Sequence, residues 1–218
     1  MTTLYLIRHG TTNSNLAGVF QGSMDVPLNE RGLSQAALLA RRFEKVHLDK
    51  IYVSALQRAR QTGEALAKGR GLKVQVMPLL NEIDLGEMEG HTGQECRQLF
   101  PQAVQDLEEN TAWFQAPGGE STRQVYDRIT SAIKQIVADN PQGTVAVVSH
   151  GFTIQVYLAA LSGLPYEEIK MRSFIVGNTA VSKFVFAPGQ RPETEYVNDQ
   201  SHLPEELRFD LAENQPKG

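Results

Sequence analysis

Two arginines, two histidines and a glutamate stand out by type and by place. Arg8 and His9 follow the apolar run Leu4-Tyr5-Leu6-Ile7 and precede Gly10, and His150 follows Thr144-Val145-Ala146-Val147-Val148-Ser149 and precedes Gly151. Arg58 comes shortly after a third apolar run, Ile51-Tyr52-Val53, and Glu82 lies in the acidic stretch Asn81 to Gly90, which its glycines break. Guanidinium forks match phosphate oxygens in pairs, and imidazole can add one more hydrogen bond, so two Arg and two His around one cavity would make an anion pocket with a carboxylate beside it. Singly, each residue has a plainer reading. His150 could be a core histidine capped by backbone and Arg58 a solvated helix residue, as Arg60 is taken to be. Asp84, Glu87 and Glu89 could each replace Glu82 as the inward carboxylate.

The five converge only if the elements carrying them are neighbours. Short apolar runs bounded by glycine read as buried strands of an α/β sheet, and open α/β sheets bind ligands at the carboxyl ends of their strands. Between the first two runs, Thr11 to Asp25 reads as a loop that brings backbone N–H groups near the site, with Asn15, Gln21 and Gly22 in it. Asn29 caps an amphipathic helix with Leu33, Ala36, Ala37, Ala40 and Phe43 on its apolar face. Ser54 caps a helix from about Leu56 to Lys68 that stops at Gly69 and Gly71. Val74 to Met77 forms a third strand, Glu120-Ser121 opens a helix to about Asp139, and Gly151 begins another reaching about Ser162. Later strands fall at Ala180 to Phe186 and Glu195 to Val197, before a polar tail after Leu211. The strand–helix alternation predicts a three-layer α/β/α sandwich with a mostly parallel central sheet. We expect one domain over residues 1–218, with a small helical insertion at about 91–116.

The bulk composition narrows the classes. At 218 residues, with 41% hydrophobic and 21% charged residues, the chain has the make-up of a soluble globular protein, with no apolar run long enough to span a membrane. Its net charge of −4 argues against nucleic acid or an anionic membrane as partner, so any anion site must be local. The single cysteine, Cys96, is expected to pack rather than to bind metal. The first strand begins so close to Met1 that no leader fits before it, and a cytoplasmic location is expected. Around Ser149 the first glycine of a serine-hydrolase elbow is missing, and no His-x-x-x-His or Asp-rich loop suggests a metallophosphatase.

Arg8-His9-Gly10 with Asn15, Ser54-Ala55-Leu56-Gln57-Arg58-Ala59, Glu82 before Gly86-Glu87-Met88-Glu89-Gly90, Pro117-Gly118-Gly119-Glu120-Ser121, and Ser149-His150-Gly151 resemble, in order, the signatures of the histidine phosphatase (phosphoglycerate mutase-like) family. The resemblance runs from Leu4 to about Phe186. It implies that His9 is the nucleophile and carries the phosphoryl group, and that Glu82 is the acid and base. Arg8, Arg58, His150 and Asn15 would bind the phosphoryl oxygens in place of a metal, with no cofactor. Gln21, Gly22 and Gly151 would be further substrate contacts. Flanking Arg8 and Arg58 would keep His9 uncharged, as a nucleophile must be. Within the family the choice is a phosphatase acting on small phosphomonoesters or a cofactor-dependent phosphoglycerate mutase; a non-catalytic phosphate-binding module is the non-enzyme alternative. Between Gly90 and Gly118 only Arg97 is basic, against Glu95, Asp106, Glu108 and Glu109, while Phe100, Trp113 and Phe114 suit an apolar leaving group. Hydrolysis is therefore expected over mutase activity, and the oligomeric state is left open.

Overall fold

A computed structural model of the chain describes residues 1–163, 165–168 and 174–208. The tail expected after Leu211 lies outside the described residues. The strands are β1 (Thr2–Arg8), β2 (Lys50–Val53), β3 (Val74–Val76), β4 (Thr144–Ser149), β5 (Val181–Phe186) and β6 (Glu193–Asp199). The helices are α1 (Asn13–Ala17), α2 (Glu30–Arg42), α3 (Gln57–Ala67), α4 (Gly93–Leu99), α5 (Pro101–Glu109), α6 (Thr122–Ala138) and α7 (Gly151–Ser162).

The strands form one mixed sheet in the order β3-β2-β4-β1-β5-β6. β3, β2, β4 and β1 run parallel, and β5 and β6 extend the sheet antiparallel. The two runs with the longest apolar stretches, β1 and β4, take the centre, where both faces of a strand are covered. Successive side chains alternate between the faces. Tyr5, Ile7, Ile51, Val53, Ala146 and Val148 meet Leu39 and Phe43 beside α2 and Ala59 and Leu66 of α3. Leu4, Leu6, Tyr52, Val145 and Val147 meet Ile129, Ile133 and Ile136 of α6 and Ile154 and Leu158 of α7. The result is the expected α/β/α sandwich.

Register decides what the sheet presents at its edge. Arg8 pairs with Ser149 across β1 and β4, and Val53 pairs with Val148 across β2 and β4. β1 and β4 thus end level and β2 one residue short of them, and His9, His150 and Ser54 follow these neighbouring strands.

Several local expectations shift. α2 buries Gly32, Gln35, Ala36 and Leu39, while Leu33 is 52% exposed and Ala37 faces solvent. The cause is a close approach: a Cβ on Gly32 would lie 2.1 Å from the Thr11 carbonyl oxygen, so the helix turns its glycine onto that backbone and its apolar stripe rotates with it. Ser54 does not cap α3, whose N-cap, Leu56, makes no side-chain bond; the Ser54 hydroxyl instead accepts from Leu56 N–H and donates to Asn81 Oδ1. The 11–25 loop contains α1, started by a capping box between Thr12 and Asn15. β6 is longer than expected.

Candidate active site

The ends of β1, β2 and β4 floor a cavity of about 500 Å³. Arg8, His9, Asn15, Gln21, Gly22, Arg58, Glu82 and Gly151 all line it, so eight of the nine residues singled out from the sequence meet in one place. The ninth, His150, stands behind them.

His9 is almost wholly buried, and its Nδ1 lies 2.7 Å from the carbonyl oxygen of Gly10. A carbonyl can only accept, so Nδ1 carries the ring proton and Nε2 keeps its lone pair. Nε2 has no hydrogen-bond partner among the described residues. Burial, then Arg58, then Arg8 hold the pKa of His9 well below the ordinary histidine value, so the ring is uncharged at neutral pH. Asn178 Nδ2 and the Thr179 N–H both donate to the His9 carbonyl oxygen, fixing the backbone beneath it.

Arg58 is 1% exposed. Its Nε donates to His150 Nδ1 at 3.2 Å, and its two terminal nitrogens donate to the carbonyl oxygens of Met24 and Gly22. Burial lowers its pKa, with Glu82, Asp25 and Glu89 pulling the other way. Arg8 donates to the Val176 carbonyl oxygen, and burial brings its pKa down to about 10, which leaves it charged at neutral pH. Gly151 packs on this guanidinium: a Cβ there would stand 3.4 Å from Arg8 Cζ.

His150 is not among the residues that line the cavity. Its Nδ1 accepts from Arg58, so in the neutral ring Nε2 bears the proton, and this donates to Ser54 Oγ at 2.7 Å. Ser54 passes the chain on to Asn81 Oδ1. Both ring nitrogens are thus engaged with protein, and the ring lies 5.1 Å from that of His9, centroid to centroid. Burial, then Arg58, keep it uncharged.

Of the acids in the 82–89 stretch, Glu82 alone lines the cavity. Its Oε1 accepts from the N–H groups of Ile83 and Thr153 and from Thr153 Oγ1, and Oε2 accepts from Phe152 N–H, which seats the carboxylate on the first turn of α7. Asp84 folds back onto Gly86 N–H, and Glu87 is exposed. Glu89 clamps the site loop, accepting from Ser23 N–H, Ser23 Oγ and Leu85 N–H.

Asn15 Oδ1 accepts from Thr12 N–H and Oγ1, and Gln21 Oε1 also accepts from Thr12 Oγ1, so the two amides are set by one threonine. The sequence reading missed Arg31, Gln35, Gln155, Asn178 and Arg208, which also line the cavity. Arg31 left a signal, since a cation in the first turn of a helix opposes the helix dipole. The aromatic expectation moves as well. Phe114 is buried in the core and Trp113 is 68% exposed, and the apolar wall comes instead from Phe20, Leu107, Phe152 and Ile175. Among the described residues no three His, Cys, Asp or Glu side chains cluster as a metal site would require.

The family model of the histidine phosphatase superfamily (branch 1) matches residues 4–200. The chain belongs to that family. Membership places this histidine phosphatase among phosphoric monoester hydrolases. It is 33% identical over 182 residues to phosphoserine phosphatase 1 of Hydrogenobacter thermophilus, covering 84% of this chain and 85% of that protein. It is also 33% identical to phosphoglycerate mutase-like protein 4 of Arabidopsis thaliana, over 93% of this chain and 87% of that one. Among solved structures, Bacillus stearothermophilus YhfR superposes with a TM-score of 0.87 at 33% identity, over 93% of this chain and 99% of that chain. No helix among the described residues is long and apolar enough to cross a membrane.

Proposed function

We propose that this histidine phosphatase hydrolyses small phosphomonoesters through a phosphohistidine at His9, without a metal. One observation carries the reading: a buried, uncharged imidazole whose Nδ1–H is held by Gly10, with Nε2 unbonded among the described residues, lines the cavity together with the guanidinium groups of Arg8 and Arg58. The Nε2 lone pair forms the N–P bond as the ester P–O bond breaks. Arg8 and Arg58, with the Asn15 amide, stabilise the charge on the equatorial oxygens, where fixed donors in a water-poor site act most strongly. His150 serves by holding Arg58 rather than by touching phosphate. Gln21, Gly22 and Gly151 shape the wall beside the transferring group.

The leaving alkoxide takes a proton from the Glu82 carboxyl. Water then attacks phosphorus, its proton passes to the Glu82 carboxylate, the N–P bond breaks, and phosphate leaves with His9 restored. In this reading Glu82 enters the first step protonated and the second ionised, a cycle that α7 supports by donating two backbone N–H groups to the ionised form.

Hydrolysis is favoured over mutase activity because the 90–118 segment gives the cavity only Leu107, while its one base, Arg97, pairs with Glu108 at 2.9 Å. The phosphoserine phosphatase among the relatives agrees with this choice. In EDTA, p-nitrophenyl phosphate should still be hydrolysed, and rapid quench should trap acid-labile phosphate on the protein. His9→Ala should lose both. Activity that EDTA abolishes, or a His9→Ala protein with full turnover, rejects the mechanism. Isomerisation of 3-phosphoglycerate outpacing its hydrolysis rejects the choice of phosphatase.

A further inference from the structure

We infer that the mouth of the cavity holds a second anion subsite, formed by Arg31 and Arg208, which takes a carboxylate on the leaving group of the substrate; the inference rests on the phosphomonoesterase reading of the same site. Among the described residues four guanidinium groups line the cavity, those of Arg8, Arg31, Arg58 and Arg208, and Glu82 is the single acidic side chain that does. The chain as a whole carries a net charge of −4, so this concentration of positive charge is local. Arg8 and Arg58 match the two charges of a phosphomonoester. Arg31 and Arg208 remain.

Neither of these two forms an ion pair with a carboxylate among the described residues. Arg31 sits in the first turn of α2, where the helix dipole disfavours a cation. One of its N–H groups donates to the Arg208 carbonyl oxygen at 3.1 Å, and Arg208 Nε donates to the Leu203 carbonyl oxygen at 2.9 Å. These bonds, with Gln35 Nε2 on the Leu207 carbonyl oxygen, pin the 203–208 segment over α2 and bring the two guanidinium groups to one cavity. A guanidinium has five N–H donors, so one bond each among the described residues leaves both with most of their donors for an incoming group. A planar carboxylate fits such a fork with two parallel hydrogen bonds. A carboxylate, planar and smaller than a second phosphate, also leaves room in the cavity for the phosphoryl group and the rest of the leaving group. A cavity of about 500 Å³ suits a small substrate carrying both groups.

The test compares two esters that differ only by this group, 3-phosphoglycerate and glycerol 3-phosphate, in the wild type, Arg31→Gln and Arg208→Gln. The ratio of their kcat/KM values should exceed about tenfold in the wild type and fall at least tenfold in each variant, mainly through KM, with Arg31→Lys recovering part of the loss. A wild-type ratio near one, or a ratio that neither variant changes, overturns the subsite and leaves hydrolysis standing. Calorimetry on His9→Ala separates the two readings: binding of 3-phosphoglycerate that exceeds that of glycerol 3-phosphate and needs Arg31, in an enzyme whose wild type turns over neither ester, rejects hydrolysis and keeps the subsite. Fructose 1,6-bisphosphate preferred over 3-phosphoglycerate, with the same dependence on arginine, rejects the carboxylate in favour of a second phosphate.

Discussion

At the scale of single residues, the proposed chemistry rests on the tautomer of one histidine and the partners of one glutamate. In the proposed mechanism His9 attacks through an unprotonated Nε2, and two independent devices keep it so, the Gly10 carbonyl oxygen on Nδ1 and the guanidinium groups that disfavour a second proton. The role proposed for Glu82 makes a sharp distinction between substrates. A phosphate ester with an alkyl leaving group needs a proton as the P–O bond breaks, whereas nitrophenolate departs without one. Glu82→Gln should therefore slow alkyl phosphate hydrolysis by about 10²- to 10⁴-fold and slow the phosphorylation burst with p-nitrophenyl phosphate far less. Equal losses with both substrates would point to a role in positioning α7 instead. The sequence left four carboxylates in competition here. Only the fold separates them, because Asp84 and Glu89 spend their oxygens on local backbone N–H groups while Glu82 faces the cavity.

At the scale of elements, the site depends on a loop pressed between two others. Gly22 adopts φ +48°, and a Cβ there would stand 2.2 Å from Glu89 Oε1 and 3.0 Å from Leu85 N. The same glycine offers its carbonyl oxygen to Arg58. Gly22→Ala should lose about 1–3 kcal/mol of stability through the left-handed backbone alone. By displacing Glu89 from Ser23 it should also move Arg58, weakening inhibition by inorganic phosphate roughly 10- to 100-fold. A variant with unchanged thermal midpoint and unchanged phosphate inhibition would show the loop to be far more compliant than this packing implies. The apolar runs, the Asn29 cap and the start of α6 at Ser121 were legible in the sequence because each is a local pattern. The rotation of α2 was not, since it is set by Gly32 meeting the backbone of Thr11, which belongs to another element.

At the scale of the molecule, burying uncharged histidines links stability to pH. Burial holds His9 and His150 well below their ordinary value and brings His202 down to about 4. In the unfolded chain all three titrate near pH 6.5, so below that pH the unfolded state binds protons that the folded state refuses. Stability should be full above about pH 6.5 and decline below it, by up to about 1.4 kcal/mol per pH unit for each histidine, until the folded pKa is reached. Urea midpoints at pH 7.5 and 5.5 check this without entering the range where carboxylates titrate. Coincident midpoints would mean that the histidines accept protons in the folded protein.

The sequence by itself determined the order of strands and helices, the family signatures and the identity of the residues at the strand ends, because all of these are written in short stretches of chain. Tertiary structure decided what those residues face. It put His150 behind the cavity with its Nδ1 on Arg58, brought Glu82 rather than its neighbouring acids to the cavity wall, and set Arg31 against Arg208 across 177 positions of sequence. Spacing along a chain fixes backbone geometry within an element. Which side chain enters a cavity depends on strand register and helix rotation, and these are settled by contacts between elements that no local window contains.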